Sequence, residues 1–135
     1  MAKTKHAKTS RSPLVAIVED DAALREATEA LLASAGFATS SFSAAQQFLD
    51  SPLCARTRCL ILDMQLPDMS GLQLQERMAA AHLNIPTILV TAAADPEGRL
   101  RGRALRTGVL AVLRKPFDAE QLLAAVRAAL GRKRR

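Results

Sequence analysis

Tryptophan and tyrosine are missing from this chain, and its only aromatic rings belong to four phenylalanines. None of them lies among the charges at the basic ends of the chain. The stacking mode of single-stranded nucleic-acid binding therefore has no residues to use there. Long apolar runs are missing too: none approaches the roughly 20 residues that a membrane-spanning helix needs. The basic N-terminus is not followed by the apolar core of a signal peptide, so a cytoplasmic protein is expected. Cysteine is scarce, and the two present, Cys54 and Cys59, lack the spacing of a disulfide framework or a metal site. Cys59 is read as packing at the start of a strand, and Cys54 as lying in the loop before it.

Acidic residues are outnumbered 13 to 19, giving a net charge of +6. That average misleads. Lys3, Lys5, Lys8 and Arg11 precede the first apolar run, and Arg132, Lys133, Arg134 and Arg135 follow the last. Residues 13–130 hold 11 basic and 13 acidic residues, a net of −2. The body is mildly acidic and the ends carry the positive charge. The expected organisation is a flexible basic tail (1–12), one domain (13–130) and a basic C-terminal tail or linker stub (131–135). A chain of 135 residues, 49% hydrophobic and 24% charged, has the size and composition of one globular domain rather than a disordered segment.

What is present is organised around residues 60–71, Leu-Ile-Leu-Asp-Met-Gln-Leu-Pro-Asp-Met-Ser-Gly. A short apolar run, read as a strand buried on both faces, ends on Asp63, and turn chemistry follows. The same pattern recurs along the chain. Residues 14–18 are a β-branched apolar run ending in Glu19-Asp20-Asp21. Residues 22–35 predict a helix with Leu24, Ala27, Leu31 and Ala35 on one face and Gly36 as its stop. Residues 37–41 are a weak second strand, and Ser43 is placed to cap a short helix through Leu49. Strand three is residues 59–62. Ser70 caps a helix to about Ala81, and strand four, residues 88–90, ends at Thr91. Residues 96–107 form a weak helix, since Gly98 and Gly102 inside it each cost about 1 kcal/mol relative to alanine. Strand five is residues 109–113, and Asp118 caps a last helix carrying Leu122, Val126, Ala129 and Leu130.

Five β–α repeats with short connections predict an α/β fold, a doubly wound, flavodoxin-like (βα)5 domain. Its five-stranded parallel sheet has the order 2-1-3-4-5. That order gathers strand ends into one crevice: Glu19 and Asp20 from strand one, Asp63 from strand three, Thr91 from strand four and Lys115 after strand five. Three carboxylates so close repel one another unless a cation joins them. Acidic oxygens with open positions suit Mg²⁺. A hydroxyl and an ammonium suit phosphoryl oxygens. The set reads as a site for phosphoryl transfer to a carboxylate, with Asp63 as nucleophile. Asp21 reads only as a helix cap. Taken singly, Thr91 and Lys115 are ordinary strand-end and turn residues; it is their joint placement that carries the reading.

The chain resembles a receiver domain of a two-component response regulator. The resemblance rests on Val15-Ala16-Ile17-Val18-Glu19-Asp20-Asp21, on residues 62–71, on Leu89-Val90-Thr91-Ala92 and on Lys115-Pro116-Phe117. It implies that Asp63 accepts phosphate from a histidine kinase or phosphotransfer protein. It implies that Glu19, Asp20, Asp63 and the backbone carbonyl of Gln65 bind Mg²⁺, and that Thr91 and Lys115 contact the phosphoryl group. It also implies a cis Lys115–Pro116 bond, and that Gln65 and Ala93 tune the phosphate lifetime. Such a chain signals rather than acts as an enzyme. Its output partner or output domain would use helix four, strand five and helix five, and a homodimer formed on phosphorylation is a further partner the resemblance brings.

Two positions depart from the family's pattern. Glu19 stands where Asp is commoner, and metal binding is expected to survive the extra methylene. Val112 stands where the family usually carries an aromatic or His ring that swings inward, and a β-branched valine has no ring to relocate. Any signal is expected to travel instead through Thr91 and the weak helix after it, whose Arg99, Arg103 and Arg106 share one face. The chain is read either as a stand-alone receiver or as the receiver part of a longer regulator, for which DNA binding is one option. The alternatives are a degenerate receiver acting as a phosphorylation-independent interaction module, or a basic-tailed nucleic-acid-associated protein. Direct DNA binding by this chain is not expected. A haloacid-dehalogenase-type phosphatase would need a second Asp where Gln65 stands. A flavodoxin would want a Ser/Thr/Gly-rich phosphate loop where Glu19-Asp20-Asp21 stands.

Overall fold

A computed structural model describes residues 13–131; the expectations for the two basic tails fall outside them. The elements in chain order are β1 (Leu14–Val18), α1 (Ala22–Ser34), β2 (Ala38–Phe42) and α2 (Ala45–Asp50), then a 3-10 turn at Cys54–Arg56. They continue with β3 (Thr57–Asp63), α3 (Gly71–Ala80), β4 (Thr87–Thr91), α4 (Arg99–Arg106), β5 (Val109–Arg114) and α5 (Ala119–Leu130). All neighbouring strands pair in parallel, in the order β2-β1-β3-β4-β5.

Strand alternation divides the core into two layers. Ala16, Val18, Leu60, Leu62, Leu89 and Val112 pack on one side with Phe48 of α2, Leu74 and Met78 of α3 and Ala104 of α4. Val15, Ile17, Ile61, Ile88 and Val90 pack on the other with Leu32 of α1 and Leu122, Val126 and Ala129 of α5. Every residue of β1 and β4 is buried, as a strand covered on both faces requires. Each fully buried Leu, Ile or Val contributes about 1.5–3 kcal/mol relative to exposure, so the two layers supply the main force holding the sheet between its helices.

Three predicted helix starts are made locally. Asp21 accepts from the amide of Leu24, and Ser70–Gln73 and Asp118–Gln121 form reciprocal capping boxes. Three local readings are corrected. The buried face of α1 is built on Thr28 and Leu32, while Ala27 and Ala35 are exposed. The apolar stripe lies one position away from the predicted one because a threonine occupies its centre. Ser43 does not cap α2: the N-cap is Ala44, and Ser43 instead donates to Oε1 of Gln47. The amides of Ala45 and Gln46 are taken at 3.1 and 2.8 Å by the two carboxylate oxygens of Asp68, from the loop after β3. Gly98 lies at the N-cap of α4 and not inside it, with φ +70°, a conformation that glycine adopts at little cost. The helix is accordingly shorter than predicted, with Gly102 as its one internal glycine. Cys54 sits in the short 3-10 turn and is buried, as is Cys59 at the start of β3. Among the described residues no helix is long and apolar enough to cross a membrane.

Candidate functional site

The register of the sheet builds the site. Val18 pairs with Leu62, so Glu19, next along β1, comes beside Asp63 at the end of β3. Asp63 pairs with Val90, which places Thr91 one residue beyond on β4, and Thr91 pairs with Arg114, the residue before Lys115. The carboxylates of Glu19, Asp20 and Asp63 each offer an oxygen within 4.8 Å of the others. Glu19 and Asp63 are buried and Asp20 is exposed. The ammonium of Lys115 lies 3.0 Å from Oε1 of Glu19 and 3.2 Å from Oδ1 of Asp63.

Backbone ties fix these side chains. The amide of Lys115 donates to the carbonyl of Thr91 at 2.8 Å, that of Met64 to Val90 at 2.8 Å, and that of Glu19 to Phe42 at 3.0 Å. The Lys115–Pro116 bond is cis, as the resemblance implies. A guanidinium nitrogen of Arg25 on α1 holds the carbonyl of Glu19 at 2.8 Å. Behind Asp63 the loop folds back: the amide of Gly71 donates to the carbonyl of Met64 at 2.7 Å, and Gln65 bridges Ser70.

Burial pushes the Glu19 carboxyl up; the Asp21 amide and Lys115 draw it down, nearby Asp63 adds to the rise, and it ends above the ordinary value. For Lys115 burial acts downward, but the bonds and charges of Glu19 and Asp63 outweigh it and raise the ammonium above its ordinary value. The site therefore holds a charged lysine against an acidic wall. The wall borders an open cleft of about 350 Å³ whose rim includes Gln65 and Ala92.

The residues predicted from sequence at this site are Glu19, Asp20, Asp63, Gln65, Thr91 and Lys115, and the structure brings them to one end of the sheet. Thr91 is buried, its hydroxyl accepting from the amide of Ala93 at 3.0 Å; its neighbour Ala92 lines the cleft. Val112 is buried in the layer that faces α4. Arg99, Arg103 and Arg106 are exposed on α4, away from the lining of the cleft. Sequence reasoning missed Arg25 and Asp68. Asp68 stands beside Pro67 in turn-forming sequence, which marks a turn but does not name a partner 23 residues away.

The model of the response regulator receiver domain matches residues 15–127. The chain belongs to this family. It is similar to nodulation protein W of Bradyrhizobium diazoefficiens, with 36% identity over 130 residues, 96% of this chain and 56% of that protein. It is 36% identical to the transcriptional regulatory protein FixJ of Azorhizobium caulinodans, over 87% of this chain and 55% of that one. The solved response regulator receiver protein from Burkholderia phymatum superimposes with a TM-score of 0.75 at 37% identity, covering 90% of this chain and 97% of that one. This receiver spans about half the length of the curated relatives it matches. Receiver domains are the signalling domains of two-component systems, and the fold is the CheY-like, flavodoxin-like one the sequence predicted.

Proposed function

We propose that this receiver accepts a phosphoryl group on Asp63 from a histidine kinase or phosphotransfer protein in a Mg²⁺-dependent reaction. The observation that carries the reading is the buried Asp63 carboxylate held 3.2 Å from the Lys115 ammonium, with oxygens of Glu19 and Asp20 close by. An oxygen of Asp63 attacks phosphorus, the bond from phosphorus to the donor's nitrogen breaks, and its electron pair leaves on the imidazole. Lys115 stays charged through the step and faces the negative charge on the transferring group. Thr91, through its hydroxyl, offers a second contact to phosphoryl oxygens.

The three acids fit a divalent ion, because their oxygens converge within 4.8 Å and the buried pair has only Lys115 as counter-charge among the described residues. Glu19, Asp20, Asp63 and the carbonyl of Gln65 would hold Mg²⁺, which when bound neutralises the acids and the incoming phosphate. Gln65 and Ala93, at or near the rim, tune how readily water reaches the acyl phosphate.

Output runs through α4, β5 and α5. Arg99, Arg103 and Arg106 share an exposed face of α4, and Leu105, 47% exposed, adds an apolar contact on another side of the same helix. The signal does not use a ring at position 112, where Val112 fills the core. The receiver acts alone or as part of a longer regulator, and dimerisation on phosphorylation is one form its output takes.

Incubation of the full chain with Mg²⁺ and acetyl phosphate, read by intact mass, tests the reading. One added phosphate is expected on the wild type and none on Asp63→Asn. A wild type that gains no phosphate, or equal labelling of the variant, would overturn it.

A further inference from the structure

Of the three acids at the cleft, Asp20 is the one whose side chain nothing holds. Glu19 and Asp63 are buried and paired with Lys115. Asp20 is exposed, and its carboxylate makes no hydrogen bond or ion pair among the described residues. Yet one of its oxygens converges with those of the other two acids within 4.8 Å. The main chain must therefore aim it.

Asp20 lies between two pinned peptide groups. Before it, the guanidinium of Arg25 donates to the carbonyl of Glu19 at 2.8 Å. After it, the amide of Asp21 donates to Oε2 of Glu19 at 3.1 Å. The amide of Glu19 is tied in turn to the carbonyl of Phe42 at 3.0 Å. Arg25 is itself well placed to hold: its own amide donates to the carbonyl of Asp21 at 2.8 Å, in the first turn of a helix that Asp21 caps. Asp21, the helix start and the Arg25 side chain thus close a ring around Asp20. Among the described residues Arg25 forms no ion pair, so its charge is directed at a main-chain carbonyl, which a cation binds more strongly than a neutral donor does.

We infer that Arg25 is a positioning residue for Asp20: its bond to the Glu19 carbonyl sets the Glu19–Asp20 peptide so that Asp20 turns toward Glu19 and Asp63. A divalent ion then meets three oxygens already converged, and Arg25 touches neither the ion nor the phosphoryl group. The metal half of the inference rests on the Mg²⁺ binding proposed above; the hold on the peptide does not. Position and charge act in opposite directions here. A cation near the site opposes a second cation, so removing a bystander arginine would tighten Mg²⁺ binding. Removing a positioning one weakens it, as loss of the groups that orient metal ligands does.

Amide shifts of the full isotope-labelled chain, titrated with Mg²⁺ alone, test this in wild type, Arg25→Ala and Arg25→Lys. Arg25→Ala should bind Mg²⁺ about tenfold more weakly than wild type, and Arg25→Lys, which keeps the charge and a donor, should fall between. Without metal, the amide of Asp21 should exchange with water several-fold faster in Arg25→Ala, because the residue that accepts from it is loosened. Equal or tighter Mg²⁺ binding by Arg25→Ala overturns the positioning role and leaves a bystander charge. Unchanged exchange at Asp21 overturns the hold on the peptide. A wild type whose amides do not shift with Mg²⁺ overturns the metal reading and the metal half together, and exchange at Asp21 still decides the hold.

Discussion

A β-carbon on Gly71 would stand 2.7 Å from the carbonyl oxygen of Asp63 and 2.8 Å from Cδ1 of Leu89. The first residue of α3 is thus pressed against the backbone of the candidate phosphoacceptor, and only a hydrogen fits between them. Gly71→Ala must push back either the end of β3 or the helix. The expected cost is about 1–3 kcal/mol, as for other overpacked sites, with slower labelling of Asp63 because its backbone is displaced. Urea unfolding and intact mass measure the two effects. Gly102→Ala is the control: its β-carbon meets only Nη1 of Arg106, at 3.5 Å, inside a helix. It should stabilise by about 0.5–1 kcal/mol.

Asp68 ties the loop beside the cleft to the start of α2, and Asp68→Ala should cost about 0.5–2 kcal/mol, the usual worth of an N-cap. Asp68→Asn keeps one acceptor oxygen and should lose less. Burial acts upward on this carboxyl, but the backbone amides of Gln46, Ala45, Asp68 and Met69 outweigh it and hold it below its ordinary value of 3.8. A depressed carboxyl stabilises the fold above its unfolded value and gives that stability up as pH falls through the folded one. The wild-type advantage over Asp68→Asn, measured by thermal unfolding, should therefore be full at neutral pH and shrink below about pH 4.

Neither thiol should react in the folded protein. Burial pushes Cys59 up to about 12 and raises Cys54 as well, so neither is a thiolate at neutral pH. Modification by a thiol reagent at pH 8 should follow the rate of opening and rise steeply with denaturant. Rapid stoichiometric labelling of the native chain would contradict the packing of both residues.

What was legible in the sequence was whatever is decided locally or by period. The caps at Asp21, Ser70 and Asp118 act on amides three residues away, and each was readable. So was the parallel sheet, because five apolar runs alternate with helical stretches, and its order is the flavodoxin-like one expected of a (βα)5 chain. The unread contacts join segments that only folding brings together. Asp68 caps a helix that begins 23 residues earlier, and Arg25 reaches back to the carbonyl of Glu19. The face of α1 was misplaced because Thr28, a polar residue, is buried at its centre. Gly98 was misjudged because its positive φ is invisible without coordinates. The site residues themselves stand at strand ends, where order and register settle their meeting.

The amide of Lys115 is bonded to the carbonyl of Thr91, so the two residues that would grip a phosphate are coupled through main chain rather than through the loop between them. A change confined to residues 94–98 should then leave the spacing of Thr91 and Lys115 as it is.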